Sequence, residues 1–269
     1  MPELPEVEVT RLGIAGQLVG HRISTVVVRE PRLRWPVSAE VSTLAGRTVR
    51  AIERRGKYLL LDCGDGHLIV HLGMSGSLRV VGTDVPPGPH DRVDIAFGGR
   101  VLRLRDPRRF GAVLWAAGNP LLHPLLAHLG VEPLSDAFDG DRLHAITRKH
   151  RSAIKVMLMD AKEIVGIGNI YASESLFRAR IRPTTSARRL SLERCERLAR
   201  EIRQTLRAAI RAGGSSLRDY VGTQGEPGYF QQRYGVYGRD GQPCRVCGTA
   251  IRRIVQGQRS TFYCPRCQR

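Results

Sequence analysis

Four of the six cysteines fall into two pairs, Cys244-x2-Cys247 and Cys264-x2-Cys267, separated by 16 residues. That spacing lies inside the pattern in which two tight turns each present two thiolates to one Zn2+. The intervening Thr249–Tyr263 is long enough for a hairpin, so the expectation for 241–269 is a β-ribbon finger too small to fold without metal. Four ligands leave no open position, which makes the metal structural. Two disulfides compete with this reading, and a cytosolic setting, where thiols stay reduced, favours zinc. Residues 241–269 hold six arginines and no Asp or Glu. The metal-loaded finger therefore carries about +4 and suits a DNA groove or phosphates. Cys63 and Cys195 fall in a strand pattern and a helix pattern and read as small buried hydrophobes.

Pro2 follows the initiator methionine. If Met1 is removed, its ring nitrogen becomes a free secondary amine with a pKa of ~8, partly neutral and nucleophilic near pH 7. Such an amine attacks an electrophilic carbon to give an iminium, and Glu3 beside it can serve as acid or base. The other reading is structural: a proline and the acids Glu3 and Glu6 in the first turn of a helix simply cap it well. Lys57, in Arg54-Arg55-Gly56-Lys57-Tyr58, is the only lysine before Lys149. It is a solvated strand-edge charge, a phosphate contact or an alternative amine. Two turns, His71-Leu72-Gly73-Met74-Ser75-Gly76 and Asp106-Pro107-Arg108-Arg109-Phe110-Gly111, carry Met74 and Phe110 at their tips. Exposed apolar tips beside arginine suit a wedge into a base stack, whereas tips folded inward only fill a core. Gly168-Asn169 opens a helical pattern, where free N–H groups and the Asn169 amide can meet a phosphate. Arg142, Arg148, Lys149, Arg151 and Lys155 form a further basic tract.

These residues need elements to hold them. Leu4, Val7, Leu12, Ile14 and Leu18 predict an amphipathic helix over 3–18. Short β-rich runs follow at Ile23–Val28, Tyr58–Asp62, His67–Leu72, Ser77–Val81, Arg92–Phe97, Val101–Leu104 and Ala112–Trp115, separated by turn residues, as in an antiparallel sandwich or barrel. From about Leu129 the pattern is helical. Ser191 caps a long helix with apolar Leu192, Cys195, Leu198, Ile202, Leu206 and Ile210, ending at Gly213-Gly214.

The 269 residues suffice for two domains, and 42% hydrophobic with 25% charged residues excludes disorder, collagen and coiled coil. No apolar run reaches membrane-spanning length and the first residues include acids, so neither a secretory leader nor a membrane span is expected. A net charge of +18 then calls for a soluble anionic partner, first of all nucleic acid. No Walker or Rossmann loop is present, which argues against a nucleotide cofactor.

Six segments in register, Pro2-Glu3-Leu4-Pro5-Glu6-Val7-Glu8, Lys57-Tyr58-Leu59-Leu60, His71–Gly76, Asp106–Gly111, Gly168-Asn169-Ile170-Tyr171-Ala172-Ser173-Glu174 and the cysteine pairs, resemble the bacterial formamidopyrimidine-DNA glycosylases over essentially the whole chain. The resemblance implies a two-domain α+β fold. An N-terminal helix and antiparallel β-sandwich form a catalytic domain (1–130), followed by a helical domain with a helix-two-turn-helix (131–222). A linker belonging to the lesion-recognition region (223–240) and the zinc finger (241–269) complete the chain. It implies base excision of 8-oxoguanine and formamidopyrimidines with AP-lyase activity. Pro2 would be the nucleophile and Glu3 its acid or base, Lys57 the proton donor for β-elimination and Arg259 the donor for δ-elimination. His90, Arg108, Arg151 and Asn169, with Arg259, match DNA-contacting positions, and Met74, Arg108 and Phe110 match the gap-filling set. One Zn2+ on Cys244, Cys247, Cys264 and Cys267, double-stranded DNA with oxidised bases or abasic sites as partner, a monomer and a cytoplasmic bacterial location complete the expectation. Arg151 stands where the family often has lysine. Two alternatives stay open: an endonuclease VIII-like enzyme for oxidised pyrimidines, against which Leu4 and the Met74/Arg108/Phe110 set speak, and a non-catalytic zinc-finger DNA-binding protein.

Overall fold

The computed structural model describes residues 1–215 and 228–269. Helix α1 (Leu4–Leu18) begins after Glu3, whose N–H donates to the Glu6 carboxylate at 2.8 Å. That bond satisfies a donor the helix cannot use itself. Val7, Ile14 and Leu18 of α1 are buried, while Leu12, one of the residues that suggested the helix, stays exposed. The opposite side carries Glu8, which pairs with Arg54 at 2.9 Å.

Strands β1 (Thr25–Val28), β6 (Asp91–Phe97), β7 (Arg100–Arg105) and β5 (Ser77–Gly82) form one sheet in the order β1-β6-β7-β5. Strands β2 (Ala51–Arg55), β3 (Tyr58–Asp62), β4 (Gly66–His71) and β8 (Ala112–Ala117) form another in the order β2-β3-β4-β8. Every pairing is antiparallel. One apolar cluster takes Leu59, Leu61, Leu68 and Val70 from the second sheet, Leu78, Val93, Ile95 and Leu102 from the first, and the buried face of α1. Burying apolar area of this kind at roughly 25 cal/mol per Å² is the main favourable term in the fold. Strand β2 has no counterpart among the predicted runs. Its Glu53, Arg54 and Arg55 hide the alternation, and pairing with β3 is what makes it a strand.

Among the described residues, Met1–His128 and the described part of Ala212–Tyr229 make one compact unit, and Leu129–Arg211 with Phe230–Arg269 the other. The second unit holds α2 (Gly140–Arg148), α3 (Ile154–Leu158), α4 (Asn169–Arg178), α5 (Leu192–Arg211) and the β9–β10 hairpin (Arg252–Gln256, Arg259–Tyr263). In α5 the predicted face is buried at Cys195, Leu198, Ile202 and Leu206. Leu192, at the first position of the helix, is exposed instead. None of the described helices is long and apolar enough to cross a membrane. Of the segment Ser215–Gly238, residues 216–227 lie outside the described residues, and with them Thr223-Gln224-Gly225-Glu226-Pro227.

Glu174 on α4 is wholly buried, and its carboxylate accepts N–H bonds from Gly235, Val236 and Tyr237 at 2.8–3.0 Å. A glutamine there keeps one acceptor oxygen and turns a donor toward those N–H groups. We expect Glu174→Gln to destabilise the second unit by about 2–4 kcal/mol, read as a lowered denaturation midpoint.

Candidate active site and metal centre

Pro2 is buried at the start of α1, with Glu3 and Glu6 only 3% and 2% exposed. Glu6 Oε2 takes the Glu3 N–H and Oε1 takes the Ser215 N–H, each at 2.8 Å. Glu6 thus caps the helix and ties it to Ser215, the structural role the sequence offered for these acids. The Glu8–Arg54 pair brings α1 against β2, whose turn into β3 carries Lys57.

Lys57 lies close enough to His71 for its charge to act on the imidazole. In the sequence His71 stands out only as a strand end and turn residue. Its ring lies 4.7 Å from that of Tyr58, and its Nδ1 accepts the Gly73 N–H at 3.1 Å. Burial first, then the charges of Lys57 and Arg34, push its pKa down to about 4. His71 is thus neutral at pH 7, with its proton on Nε2. Because the folded pKa lies below the ordinary value near 6.5, the unfolded chain binds the extra proton. Stability from this group is complete above about pH 6.5 and is lost as pH falls toward 4. We expect the parent to lose about 3 kcal/mol more over that window than His71→Asn, measured by denaturation at matched pH.

Met74 and Phe110 are each 40% exposed, so neither tip folds into the core. The Arg108 guanidinium sits 4.9 Å from the centre of the Phe110 ring. The two turns touch through backbone: a Cβ on Gly73, whose φ is +65°, would lie 2.4 Å from the Phe110 carbonyl carbon. Only glycine permits that approach, and it places Met74, Arg108 and Phe110 in one patch. His90 is adjacent in structure, its carbonyl accepting the Asp106 N–H at 2.9 Å.

In the second unit Asn169 opens α4 after the N-cap Gly168. Its Oδ1 accepts from Lys155 Nζ at 2.5 Å and its Nδ2 donates to the Ser260 carbonyl at 2.9 Å. Lys155, grouped by sequence with a basic surface tract, is in fact fully buried. It also donates to Thr261 Oγ1 at 2.7 Å and the Ser260 carbonyl at 3.3 Å. A signal was present: a chain with 43 basic residues and four lysines spends one of them inside the apolar run Ile154–Met159. Arginine's planar fork does not fit a compact site ringed by acceptors. Lys155 thereby sets both Asn169 and the strand that starts at Arg259, which is exposed. Arg151 is exposed, with its carbonyl held by the Ser186 hydroxyl.

The four finger sulfurs lie within 4.8 Å of one another. Cys244 and Cys267 Sγ are 3.9 Å apart and Cys247 and Cys264 Sγ 3.5 Å, close to the ~3.8 Å that tetrahedral Zn–S bonds of ~2.3 Å require. Val246 N–H donates to Cys244 Sγ and Cys267 N–H to Cys264 Sγ, each at 3.4 Å, which orients the thiolates. Hydrogen bonds from Thr249 hold the Cys247 thiol down at about 6, whereas burial and the other sulfurs push Cys267 up to about 12. Four adjacent sulfurs cannot all be anionic without a cation among them, so the donor set fits one Zn2+.

A zinc finger and so large an excess of arginine belong together in a protein that binds nucleic acid. Three family models match the chain: the formamidopyrimidine-DNA glycosylase N-terminal domain over residues 1–113, the H2TH domain of the same glycosylases over 129–221, and the zinc finger found in FPG and IleRS over 241–269. The formamidopyrimidine-DNA glycosylase of Aromatoleum aromaticum is 60% identical over the full length of both chains. Among solved structures, MutM (FPG) of Thermus thermophilus superposes with a TM-score of 0.89 at 41% identity, over 99% of this chain and 98% of that one. Lactococcus lactis Fpg in complex with abasic-site DNA gives 0.92 at 34% identity, over 99% of each. This chain belongs to the formamidopyrimidine-DNA glycosylase family, and its finger carries one structural Zn2+.

Proposed function

We propose that the protein is a bifunctional DNA glycosylase and AP lyase of base excision repair, acting as a cytoplasmic monomer on double-stranded DNA that contains oxidised purines or abasic sites. The observation that carries this reading is the buried Pro2 flanked by the Glu3 and Glu6 carboxylates at a capped helix start. Support also comes from related Fpg proteins crystallised with abasic-site DNA and with DNA containing Fapy-dG, and from MutM with carbocyclic 8-oxo-G DNA.

Once Met1 is gone, the Pro2 nitrogen attacks C1′ of the damaged nucleotide. The C1′–base bond breaks and the base leaves with the bonding pair. Glu3 protonates the ring oxygen as the sugar opens, and loss of the amine proton leaves an iminium. Loss of a C2′ proton then expels the 3′ phosphate, with Lys57 supplying a proton, and a second elimination assisted by Arg259 expels the 5′ phosphate. The base must leave the stack first, and Met74, Arg108 and Phe110 fill its place. His90, Arg108, Arg151, Asn169 and Arg259 contact the DNA. Residues 1–130 are the catalytic β-sandwich domain, 131–222 the helix-two-turn-helix domain, 223–240 a linker of the lesion-recognition region and 241–269 the zinc finger, which also supplies Arg259. Zn2+ on Cys244, Cys247, Cys264 and Cys267 supplies folding energy to the finger and takes no part in bond breaking.

The test compares excision of 8-oxoguanine with that of an oxidised pyrimidine from otherwise identical duplexes. Preference for the purine is expected, and preference for the pyrimidine would overturn the assignment of substrate.

A further inference from the structure

We infer that Asp106, which is given no part in the chemistry above, is a positioning residue that holds the Arg108/Phe110 turn in register for base eversion; this rests on the proposed function. Asp106 is fully buried at the end of β7. Its Oδ2 accepts the Gly111 N–H at 2.7 Å, closing the turn that carries Arg108 and Phe110. Its own N–H donates to the His90 carbonyl at 2.9 Å, and its carbonyl accepts from Arg92 Nε at 2.9 Å. One residue thus fixes both ends of the turn to the strand beginning beside His90.

The turn needs such a tie. Arg109 is held at a φ of +59°, a conformation that an L side chain adopts only under constraint. Gly111 is wedged so closely that a Cβ would stand 2.8 Å from the His71 carbonyl oxygen and 3.0 Å from Asp106 Oδ2. Because Gly73 meets the Phe110 backbone, whatever fixes Phe110 also fixes Met74. The other carboxylate oxygen, Oδ1, is equally buried and has no hydrogen-bond partner among the described residues. A carboxylate placed in the interior with one oxygen unpaired works against folding. Its presence is explained by what Oδ2 does for the turn. An asparagine could accept the same Gly111 bond; an alanine could not.

The test measures kcat/KM for excision of an oxidised purine and for cleavage of a preformed abasic site, using Asp106→Ala, Asp106→Asn and the parent, all zinc-loaded. Filling the stack matters most when a base must be forced out of it. The ratio of excision to abasic cleavage is expected to fall about tenfold in Asp106→Ala and to recover to within about threefold of the parent in Asp106→Asn. Hydrogen exchange at the Phe110 and Gly111 amides of the free protein should rise in Asp106→Ala and stay near parental in Asp106→Asn. If Asp106→Ala does not fold, Gly111→Ala, which displaces the same hinge with the carboxylate intact, should lower the ratio likewise. An unchanged ratio, whether both activities fall together or neither does, overturns the inference. The proposed function fails separately, when the unaltered protein neither excises the purine nor cleaves the abasic site.

Discussion

Borohydride is expected to trap the protein covalently on abasic-site DNA, and a form that keeps Met1 should lose this capture by at least about 10³-fold. The effect is electronic before it is geometric. With Met1 in place the Pro2 nitrogen belongs to a tertiary amide whose lone pair is delocalised into the carbonyl. Without it the same atom is an amine with a pKa of ~8 and a lone pair to donate. In the form with Met1, Glu6 already caps α1 and Glu3 is already buried, so removing one residue ahead of the helix is expected to preserve the fold. A fold-preserving change at one bond therefore switches the chemistry off. Glu3→Gln separates roles further: it retains the amine, so trapping should persist, while excision, which needs a proton delivered to the opening sugar, should drop by about 10²–10⁴-fold. Trapping that survived in the form retaining Met1 would move the nucleophile elsewhere, with Lys57 the first place to look.

How much of this was visible in the chain depended on whether the determining contact was local. The cysteine pairs and the turns at Met74 and Phe110 were legible because spacing alone constrains a tight turn, and the strands from β3 to β8 because turn residues punctuate them. Strand β2 was hidden, since its identity comes from β3 across the hairpin. Lys155 and Glu174 were hidden for the same reason in sharper form. Each is a charged residue in the interior, and its partners, Ser260 and Thr261 for one and Gly235–Tyr237 for the other, lie 61 to 106 residues away. Asp106 stood in a motif already singled out, yet the sequence emphasised its exposed neighbours because apolar tips and arginines suggest contact with a partner. What a buried carboxylate does is decided by which N–H groups the fold aims at it.

Removing the zinc should produce the largest loss of structure. Few apolar side chains hold the finger, Ile251 and Phe262 packing around the cysteines with Val236 from the segment before it, and the β9–β10 hairpin has too few residues to be stable alone. Metal binding worth roughly 10–16 kcal/mol is what offsets its ordering. Chelation should therefore unfold 241–269, and the damage should not stop there. Lys155 would lose the Ser260 carbonyl and the Thr261 hydroxyl, leaving an ammonium in the interior with Asn169 as its remaining partner of those three. Losing two hydrogen bonds to a buried ammonium, each worth about 1.5–3 kcal/mol, destabilises by about 3–6 kcal/mol. For a chain of this length that lowers the midpoint of thermal unfolding by about 10 °C. The expected result is increased hydrogen exchange first in the finger and then around α3 and the start of α4, with a midpoint that falls on chelation and returns on adding Zn2+. DNA binding should weaken by at least about tenfold and become less salt-dependent, since the finger's arginines no longer meet phosphates together. Unchanged affinity after confirmed metal loss would mean that the finger is not a DNA clamp. A midpoint that did not move would mean that Lys155 does not depend on the finger for its burial.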